Sequence, residues 1–290
     1  MATNISDMHG KICLVTGATG GIGKVTAQAL AQQGATVIVV SRDPAKCQQT
    51  VAEIIQQTGN QNVTAMPADL SSQQDIRRLA NEFTAQYKQL DVLVNNAGLL
   101  ILSRKLSVDG IEMTFALDHL GYFLLTNLLL DSLKASPSAR VVSVSSSVHT
   151  SGTINFDDLQ GAKGYTGIRA YGQAKLANVL FTYELARRLE GTNVTANTLH
   201  PGVVATGFGV NNGPLLKYIV RPILNIFSIS PEKGAQTSIY LASSPEVAGV
   251  TGRYFDKSKA VPSSKESNNV DEAKRLWDVS AQLTGLTVTA

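Results

Sequence analysis

The sequence is poor in charged residues. Asp, Glu, Lys and Arg make up only 16% of its 290 residues, against roughly 25% in an average globular chain, so we expect an unusually apolar surface or pocket. The 25 basic and 22 acidic side chains leave a formal charge of +3. The sequence has no conspicuous run of basic residues that could bind a phosphate backbone. Nucleic acid is therefore excluded as a partner.

Cysteine and long hydrophobic runs are also scarce. Cys13 and Cys47 are too few for a disulfide framework or a four-ligand zinc site, and the four histidines show no metal-ligand spacing, so no metal site is predicted. No run of 18 apolar residues and no apolar segment behind an N-terminal basic cluster occurs. We therefore expect neither a membrane span nor a signal peptide, and a cytoplasmic location.

Short apolar runs alternate with longer stretches of helical spacing along the whole chain. Strands are predicted at 12–15, 36–40, 63–67, 91–97, 140–145 and 194–199, and helices at 22–33, 44–58, 72–88, 111–134, 171–190 and 231–243. This alternation predicts βαβ units and hence an α/β fold, with a doubly wound parallel sheet of Rossmann type and helices on both faces.

Nothing in the chain resembles a linker or a repeat, so residues 1–290 are predicted to form a single dinucleotide-binding domain. The composition of 256–270 is typical of a loop. We expect 256–290 to be a C-terminal surface segment that ends in a short helix around Trp277.

A glycine-rich segment joins the first predicted strand to the first predicted helix, Thr16-Gly17-Ala18-Thr19-Gly20-Gly21-Ile22-Gly23. Amides at such a helix start point at an anion, and glycine admits a pyrophosphate at close range. We therefore predict a dinucleotide site rather than a glycine-rich turn without a ligand. The spacing has two interpretations, TGxxxGxG through Gly17, Gly21 and Gly23, or TGxxGxxG through Gly17, Gly20 and Gly23.

The end of the second strand bears on the choice of cofactor. Ser41 and Arg42 stand where an acidic residue would bind a ribose diol, and a guanidinium pairs well with a 2′-phosphate. NADP(H) is therefore favoured over NAD(H). The alternative is that Arg42 is a solvated loop cation and Asp43 binds the diol.

Further motifs follow in chain order: Asp69-Leu70, Asn95-Asn96-Ala97-Gly98, a serine in VVSVSSS, Tyr171-Gly172-Gln173-Ala174-Lys175 and His200-Pro201-Gly202. With the glycine segment, they resemble the short-chain dehydrogenase/reductase superfamily over nearly the whole chain. The segments DHLGYFLLTNLLLDSL, AYGQAKLANVLFTYELARRL and LHPGVV are similar to the retinol-dehydrogenase-like branch. The members of that branch act on retinoids and other lipophilic alcohols, aldehydes and ketones.

The Tyr171 and Lys175 side chains are four residues apart on a predicted helix and so lie on one face. An adjacent ammonium favours phenolate, which predicts a lowered pKa for Tyr171 and a role as acid and base. The alternative is that Tyr171 and Lys175 form an ordinary surface pair without a catalytic role. Tyr165 is a rival tyrosine, but Arg169 stands where the lysine would have to be.

Four serines crowd the end of the strand before Tyr171. Alternation places Ser145 and Ser147 on one face and Ser146 on the other. The resemblance selects Ser146 as the residue that stabilises the developing oxyanion. It also implies a fourth catalytic residue, usually Asn, where this chain has Asp118. An aspartate can pair with Lys175 and thereby raise the pKa of the tyrosine.

The resemblance further implies a set of cofactor contacts. Asp69 would contact the adenine, although it can equally cap a helix. The predicted set is Gly17, Thr19, Gly20, Gly21, Ile22, Gly23, Arg42, Asp69, Leu70, Asn95, Asn96, Ala97, Gly98, Tyr171, Lys175, Pro201, Gly202, Val204 and Thr206.

The apolar segment 203–231 follows a strand end and is predicted to cover the substrate as a lid, or alternatively to form an oligomer or membrane-surface contact. The sequence thus predicts an NADP(H)-dependent oxidoreductase for a small lipophilic alcohol or carbonyl substrate. Alternatives are a catalytically weak NADPH sensor, an interaction protein and a nucleotide-sugar epimerase. Because relatives dimerise through helices that match 111–134 and 171–190, a homo-oligomer is expected.

Overall fold

The computed structural model describes residues 6–202 and 229–287. These residues contain one eight-stranded sheet with the order β3-β2-β1-β4-β5-β6-β7-β8. The strands are β1 (Ile12–Thr16), β2 (Thr36–Val40), β3 (Val63–Ala65), β4 (Val92–Asn95), β5 (Ala139–Val144), β6 (Val194–His200), β7 (Tyr254–Asp256) and β8 (Lys259–Val261).

Strands β1 to β7 are parallel, which confirms the predicted α/β fold. The strand order reverses between β1 and β4, and such a switch point opens a crevice at the carboxyl ends of the strands. The edge strand β8 is antiparallel to β7 and lies where a loop was predicted. The turn between them has positive φ at Lys257 and Ser258, a conformation that hairpins usually reach with Asn-Gly, so the sequence carries no hairpin signal.

Nine α-helices accompany the strands in the described residues. They are α1 (Gly21–Gln32), α2 (Pro44–Thr58), α3 (Gln73–Gln86), α4 (Met113–Phe115), α5 (Gly121–Leu128), α6 (Leu130–Ala135), α7 (Gly167–Arg188), α8 (Pro231–Ser243) and α9 (Val270–Thr284). The helix predicted at 171–190 begins four residues earlier, at Gly167. The single helix predicted at 111–134 is divided into α4, a π-helix at Ala116–Leu120, α5 and α6.

Hydrophobic clusters cover both faces of the sheet. Along β1, Leu14 belongs to one cluster, and Cys13 and Val15 belong to the other. This alternation with two buried faces is what a sheet between two helix layers requires. None of the described helices is both long and apolar enough to cross a bilayer.

The last helix differs from its prediction. Helix α9 has 15 residues and packs into the core, whereas the sequence predicts a short helix on a surface segment. Trp277 is only 4% exposed, and its ring centroid lies 4.9 Å from that of Phe123. The Arg188 guanidinium covers the same indole at 4.5 Å. A large aromatic side chain with these partners contributes to the core rather than to the surface.

Candidate functional site

The glycine segment forms the turn between β1 and α1. Gly17 has φ 65° and Gly21 has φ 52°, which L side chains rarely adopt, whereas Gly20 has an extended φ of −172°. A Cβ built on Gly20 meets nothing within 4 Å, but one on Gly23 lies 2.4 Å from both Gly17 O and Asn96 Nδ2. Glycine is therefore required at the positions of the TGxxxGxG interpretation and not at Gly20.

This difference between two glycines yields a prediction. Gly23→Ala is expected to lower the free energy of unfolding by about 1–3 kcal/mol, because the added methyl group overpacks the contact between α1 and the loop at Asn96. Gly20→Ala is the matched control and should change it by less than about 1 kcal/mol. Urea unfolding of both variants measures the difference, and equal effects would show that Gly23 is not closely packed.

The residues around the start of α1 fit a dinucleotide pyrophosphate. Gly20 is the N-cap and supplies no side-chain acceptor, and no acidic residue lies in the first turn. The first N–H groups of a helix need an acceptor, and the positive end of its dipole favours an anion. The space beside Gly20 is open, and Thr19 is anchored through its Oγ1, which donates to Ser41 Oγ at 2.9 Å.

The Asn95-to-Gly98 segment joins this loop to the rest of the site. Thr16 Oγ1 accepts from the amides of Asn96 and Ala97 at 2.8 and 3.0 Å, and Asn96 Nδ2 donates to Thr16 O at 2.8 Å. Asn95 is fully buried, and its Nδ2 donates to Thr126 Oγ1 at 2.9 Å. The side chains of Asn95 and Asn96 therefore support the fold of this segment.

Two residues after β2, Arg42 and Asp43, were predicted as alternative cofactor contacts, and the structure shows different surroundings for them. Asp43 is the N-cap of α2, and its Oδ1 accepts from Lys46 N at 3.2 Å, so this carboxylate already has a structural partner. Arg42 beside it is exposed. Its guanidinium is therefore open to solvent, whereas the Asp43 carboxylate is engaged in the helix cap.

Asp69 does not cap α3, since Ser72 is the N-cap of that helix. Instead, Asp69 Oδ1 accepts from Ser71 N at 2.9 Å and from Ser71 Oγ at 2.7 Å. Leu70 is buried in the core, so its contribution to a cofactor site is limited to its backbone. The helix-cap alternative for Asp69 is thus wrong, because Ser72 occupies that position.

The serines after β5 separate as alternation predicts. Ser145 is buried, and its Oγ donates to Lys175 O at 2.7 Å, which fixes the strand end to α7. Ser146 points the other way, and its side chain lies close enough to Tyr171 to lower the pKa of that phenol. Its Oγ accepts from Val148 N at 3.3 Å, so the hydroxyl proton is free to be donated.

Tyr171 and Lys175 lie one turn apart on α7, and Lys175 Nζ is 5.2 Å from the centre of the Tyr171 ring. The rival Tyr165 is engaged elsewhere, because its hydroxyl donates to Ile101 O at 2.9 Å. Burial raises the pKa of Tyr165 to about 12, since it disfavours the phenolate. The structure thus brings Ser146, Tyr171 and Lys175 together and leaves Tyr165 apart.

Asp118 forms the predicted ion pair with Lys175. It lies in the π-helix with no exposed surface, its Oδ2 is 3.0 Å from Lys175 Nζ, and its Oδ1 accepts from Leu99 N at 2.9 Å. Burial lowers the pKa of the Lys175 amine, but Asp118 together with Tyr122 and Tyr171 outweighs this effect and raises that pKa, which keeps the lysine charged. The π-helix at Ala116–Leu120 thus carries the carboxylate that contacts Lys175.

The pKa of Tyr171 is raised, whereas its spacing from Lys175 predicts a lowered pKa. Burial raises this pKa, the Lys175 charge lowers it, the Asp118 carboxylate raises it, and the Ser146 hydrogen bond lowers it, with an upward net result. The predicted net lowering is therefore wrong, because desolvation and the Asp118 carboxylate together exceed the opposing effects of Lys175 and Ser146.

The remaining predicted contacts lie at the end of β6. His200 Nδ1 accepts from Ser147 N at 3.1 Å, and Gly202 has φ 84°. Pro201 and Gly202 are the last described residues of this segment. Val204, Thr206 and all but the end of the predicted lid at 203–231 lie outside the described residues.

A family model described as short chain dehydrogenase matches residues 11–214. The chain belongs to the short-chain dehydrogenase family. This confirms the resemblance, and it makes the chain an oxidoreductase of a family that uses NAD(P)(H).

Similar proteins of known type indicate the branch of the family to which this short-chain dehydrogenase belongs. It is 44% identical to retinol dehydrogenase 14 of Homo sapiens over 297 residues, which cover 96% of this chain and 88% of the relative. It is thus in the retinol-dehydrogenase-like branch. Among solved structures, an uncharacterized protein from Mycobacterium paratuberculosis has TM-score 0.80 and 33% identity over 99% of this chain and 98% of the other. The Pseudomonas aeruginosa RhlG/NADP active-site complex has TM-score 0.70 and 29% identity over 88% and 97%.

Sequence reasoning missed two supporting residues of this short-chain dehydrogenase. Tyr122 is fully buried, 5.8 Å from Lys175 Nζ to its ring centre, and its hydroxyl has no hydrogen-bond partner among the described residues. It stands four residues after Asp118, so helical spacing could have found it. Thr16 precedes the glycines, and only the fold reveals that its hydroxyl holds the Asn96 segment.

Proposed function

We propose that the protein is an NADP(H)-dependent oxidoreductase that interconverts a lipophilic alcohol and its aldehyde or ketone. The observation that carries the proposal is the grouping of Ser146 beside Tyr171, with the charged Lys175 5.2 Å from the centre of the phenol ring. This is the arrangement that protonation of a carbonyl oxygen requires.

In the reducing direction, Tyr171 gives its hydroxyl proton to the carbonyl oxygen, and Ser146 donates a hydrogen bond to the same oxygen. The nicotinamide, when bound, supplies the hydride. Lys175 stabilises the phenolate that remains and would hold the nicotinamide ribose. In the oxidising direction, the Tyr171 phenolate accepts the alcohol proton. Asp118 holds the Lys175 ammonium in place.

A lipophilic substrate is supported by apolar side chains near Tyr171. Ile168 is 61% exposed and lies one helical turn before Tyr171, on the same side of α7. Leu102, 43% exposed, is adjacent, since a Cβ on Gly167 would lie 2.7 Å from Leu102 Cα. Exposed apolar residues beside a reacting group fit an apolar substrate. The retinol dehydrogenases among the relatives point to retinaldehyde as the first compound to test.

The preference for NADP(H) rests on Arg42. We expect Arg42→Ala to raise the KM for NADPH by roughly 10- to 100-fold, the worth of one or two charge-assisted hydrogen bonds, and to leave the KM for NADH nearly unchanged. Steady-state kinetics with both cofactors provide the measurement. Lys46→Ala removes an exposed cation one turn further on and is the control. Equal losses with both cofactors would contradict a 2′-phosphate contact.

The experiment that tests the proposed function is a panel of carbonyls and alcohols assayed with NADPH and with NADH. Turnover of retinaldehyde and other apolar aldehydes with NADPH, and poor turnover of small charged hydroxy acids, is the expected result. Equal turnover of charged and apolar compounds would contradict the assignment of substrate class.

A second candidate is an NADPH-binding protein with weak catalysis, which the Asp118–Lys175 ion pair favours because it offsets the lysine charge. Tight NADPH binding without oxidation by any carbonyl would support it. The epimerase alternative depends on the TGxxGxxG interpretation, for which Gly20 shows no structural need. A homo-oligomer, a cytoplasmic location and a lid over 203–231 stay predictions from the sequence.

A further inference from the structure

The orientation of the Ser146 hydroxyl depends on a short turn after β5. Ser146 has extended backbone angles, φ −156° and ψ 157°, and is the N-cap of a 3₁₀-helix at Ser147–Ser151. Its Oγ accepts from Val148 N within that turn. Displacement of the turn therefore moves the hydroxyl that would contact substrate.

His149 holds one side of the turn as a neutral imidazole. Its Nε2 accepts from Ser264 N at 3.2 Å, and its Nδ1 is 2.7 Å from Ser146 O. An amide N–H only donates and a carbonyl only accepts, so the proton must be on Nδ1. The His149 ring is buried and packs against the Tyr254 ring with centroids 4.7 Å apart.

His200 holds the other side. Its Nδ1 lies 3.1 Å from Ser147 N, and because that amide only donates, Nδ1 must be unprotonated, which places the proton on Nε2. His200 ends β6 and directly precedes Pro201 and Gly202, the segment expected at the nicotinamide. One hydrogen bond thus joins the serine turn to the strand end that leads to the cofactor.

Protonation affects the two histidines differently. A proton on His149 Nε2 opposes the Ser264 amide but leaves the bond from Nδ1 to Ser146 O intact. A proton on His200 Nδ1 instead faces the Ser147 amide and removes that hydrogen bond, which is one of the contacts that hold the turn. His200 is therefore the residue through which acid would displace Ser146.

Within residues 6–202 and 229–287, few charged groups act on the two rings. Burial lowers the pKa of His200, and His149 and Lys257 lower it further. Asp256 raises it. Burial likewise lowers the pKa of His149, while the hydrogen bond to the Ser146 carbonyl and the charge of Glu266 raise it. Both imidazoles are accordingly neutral at and above an ordinary histidine pKa of about 6.5.

We propose that His200 is a positioning residue for the Ser146 hydroxyl, and that it acts only while its Nδ1 is unprotonated and accepts from the Ser147 amide. The proposal rests on the proposed function, because it operates through Ser146. It predicts that carbonyl reduction declines in acid, as the turn is released, without loss of cofactor binding.

Two variants of His200 test this on the full chain, saturated with NADPH and assayed with retinaldehyde. The Asn side chain of His200→Asn can accept from Ser147 N and does not titrate, so kcat near pH 8 should be close to that of the parent protein. Its decline below the ordinary histidine pKa of about 6.5 should disappear. His200→Leu has no acceptor, and its kcat should be about tenfold lower across the range, one hydrogen bond's worth. The Kd for NADPH should stay the same in both. A fully active His200→Leu, or an unchanged acid decline in His200→Asn, would overturn the proposal.

A double-mutant cycle with Ser146→Ala shows whether His200 acts through the serine. If it does, adding His200→Leu to Ser146→Ala should cost little more. Full additivity would overturn the positioning role while leaving the proposed function intact. If Ser146→Ala itself is fully active, the proposed catalytic role of Ser146 fails first, and the two failures are distinguishable.

Imidazole ¹⁵N spectra of the unmutated protein provide a measurement that does not depend on a variant folding. We expect His149 to carry its proton on Nδ1 and His200 on Nε2 near pH 8. A proton on His200 Nδ1 would overturn the proposal directly.

Discussion

Tyr171→Phe is expected to lower the rate of NADPH-dependent retinaldehyde reduction by about a thousandfold, within the range attributed to a positioned proton donor. Phe keeps the ring beside Lys175 Nζ and removes only the hydroxyl that contacts Ser146. Binding of NADPH should therefore change little. Single-turnover oxidation of NADPH, followed by absorbance, measures the chemical step.

Tyr165→Phe is the matched control for this change. It removes the same hydroxyl from a tyrosine whose partners are Ile101 O and Glu112 Oε1. We expect it to retain most of the activity. A Tyr171→Phe variant as active as the Tyr165→Phe control would remove Tyr171 from the mechanism.

Asp118→Asn is expected to raise the rate of alcohol oxidation at neutral pH several-fold. The Asp118 carboxylate raises the pKa of Tyr171, so its removal should lower that pKa, with burial still raising it and Lys175 still lowering it. Oxidation needs Tyr171 as phenolate, so the rate rises with pH through this pKa, and a lower pKa moves that rise to lower pH. The pH dependence of kcat for alcohol oxidation is the measurement.

The same substitution should also destabilise the protein. Asn can still accept from Leu99 N, but it leaves the ammonium of a buried lysine without its counter-charge. Removal of one partner of a buried ion pair costs about 3–5 kcal/mol, so the Tm should fall although the rate rises. Asp157→Asn changes the same charge at an exposed position and should alter neither quantity. A fall in rate at every pH would show that the carboxylate is used as it stands.

The sheet and most helices were predictable because their signals are local. Strand and helix periods differ, and a Pro at the start of α2 and α8 marks their first turns. The π-helix at Ala116–Leu120 was not predictable, since its apolar pattern continues that of the flanking helix. The hairpin of β7 and β8 was missed because Lys257 and Ser258 are not typical residues for a turn with positive φ.

The proximity of Ser146, Tyr171 and Lys175 was predictable from the sequence, but the electrostatic balance among them was not. Motif order and helical spacing bring Tyr171 and Lys175 together, and strand alternation separates Ser145 from Ser146. The net pKa shift of Tyr171 depends on how completely the folded chain removes water from the phenol, and that quantity has no local signal. The histidines on either side of the Ser146 turn come from distant parts of the chain, and their partners are visible only in the fold.

Direct titration of Tyr171 tests most sharply the claim that burial and the Lys175–Asp118 pair set its proton affinity. With ¹³Cζ-labelled tyrosine and Tyr171→Phe for assignment, the resonance of Tyr171 should titrate above the ordinary tyrosine value of about 10 and at a lower pH in Asp118→Asn. A Tyr171 that titrates below that value in the unmutated protein, or identically in the two proteins, would contradict the claim.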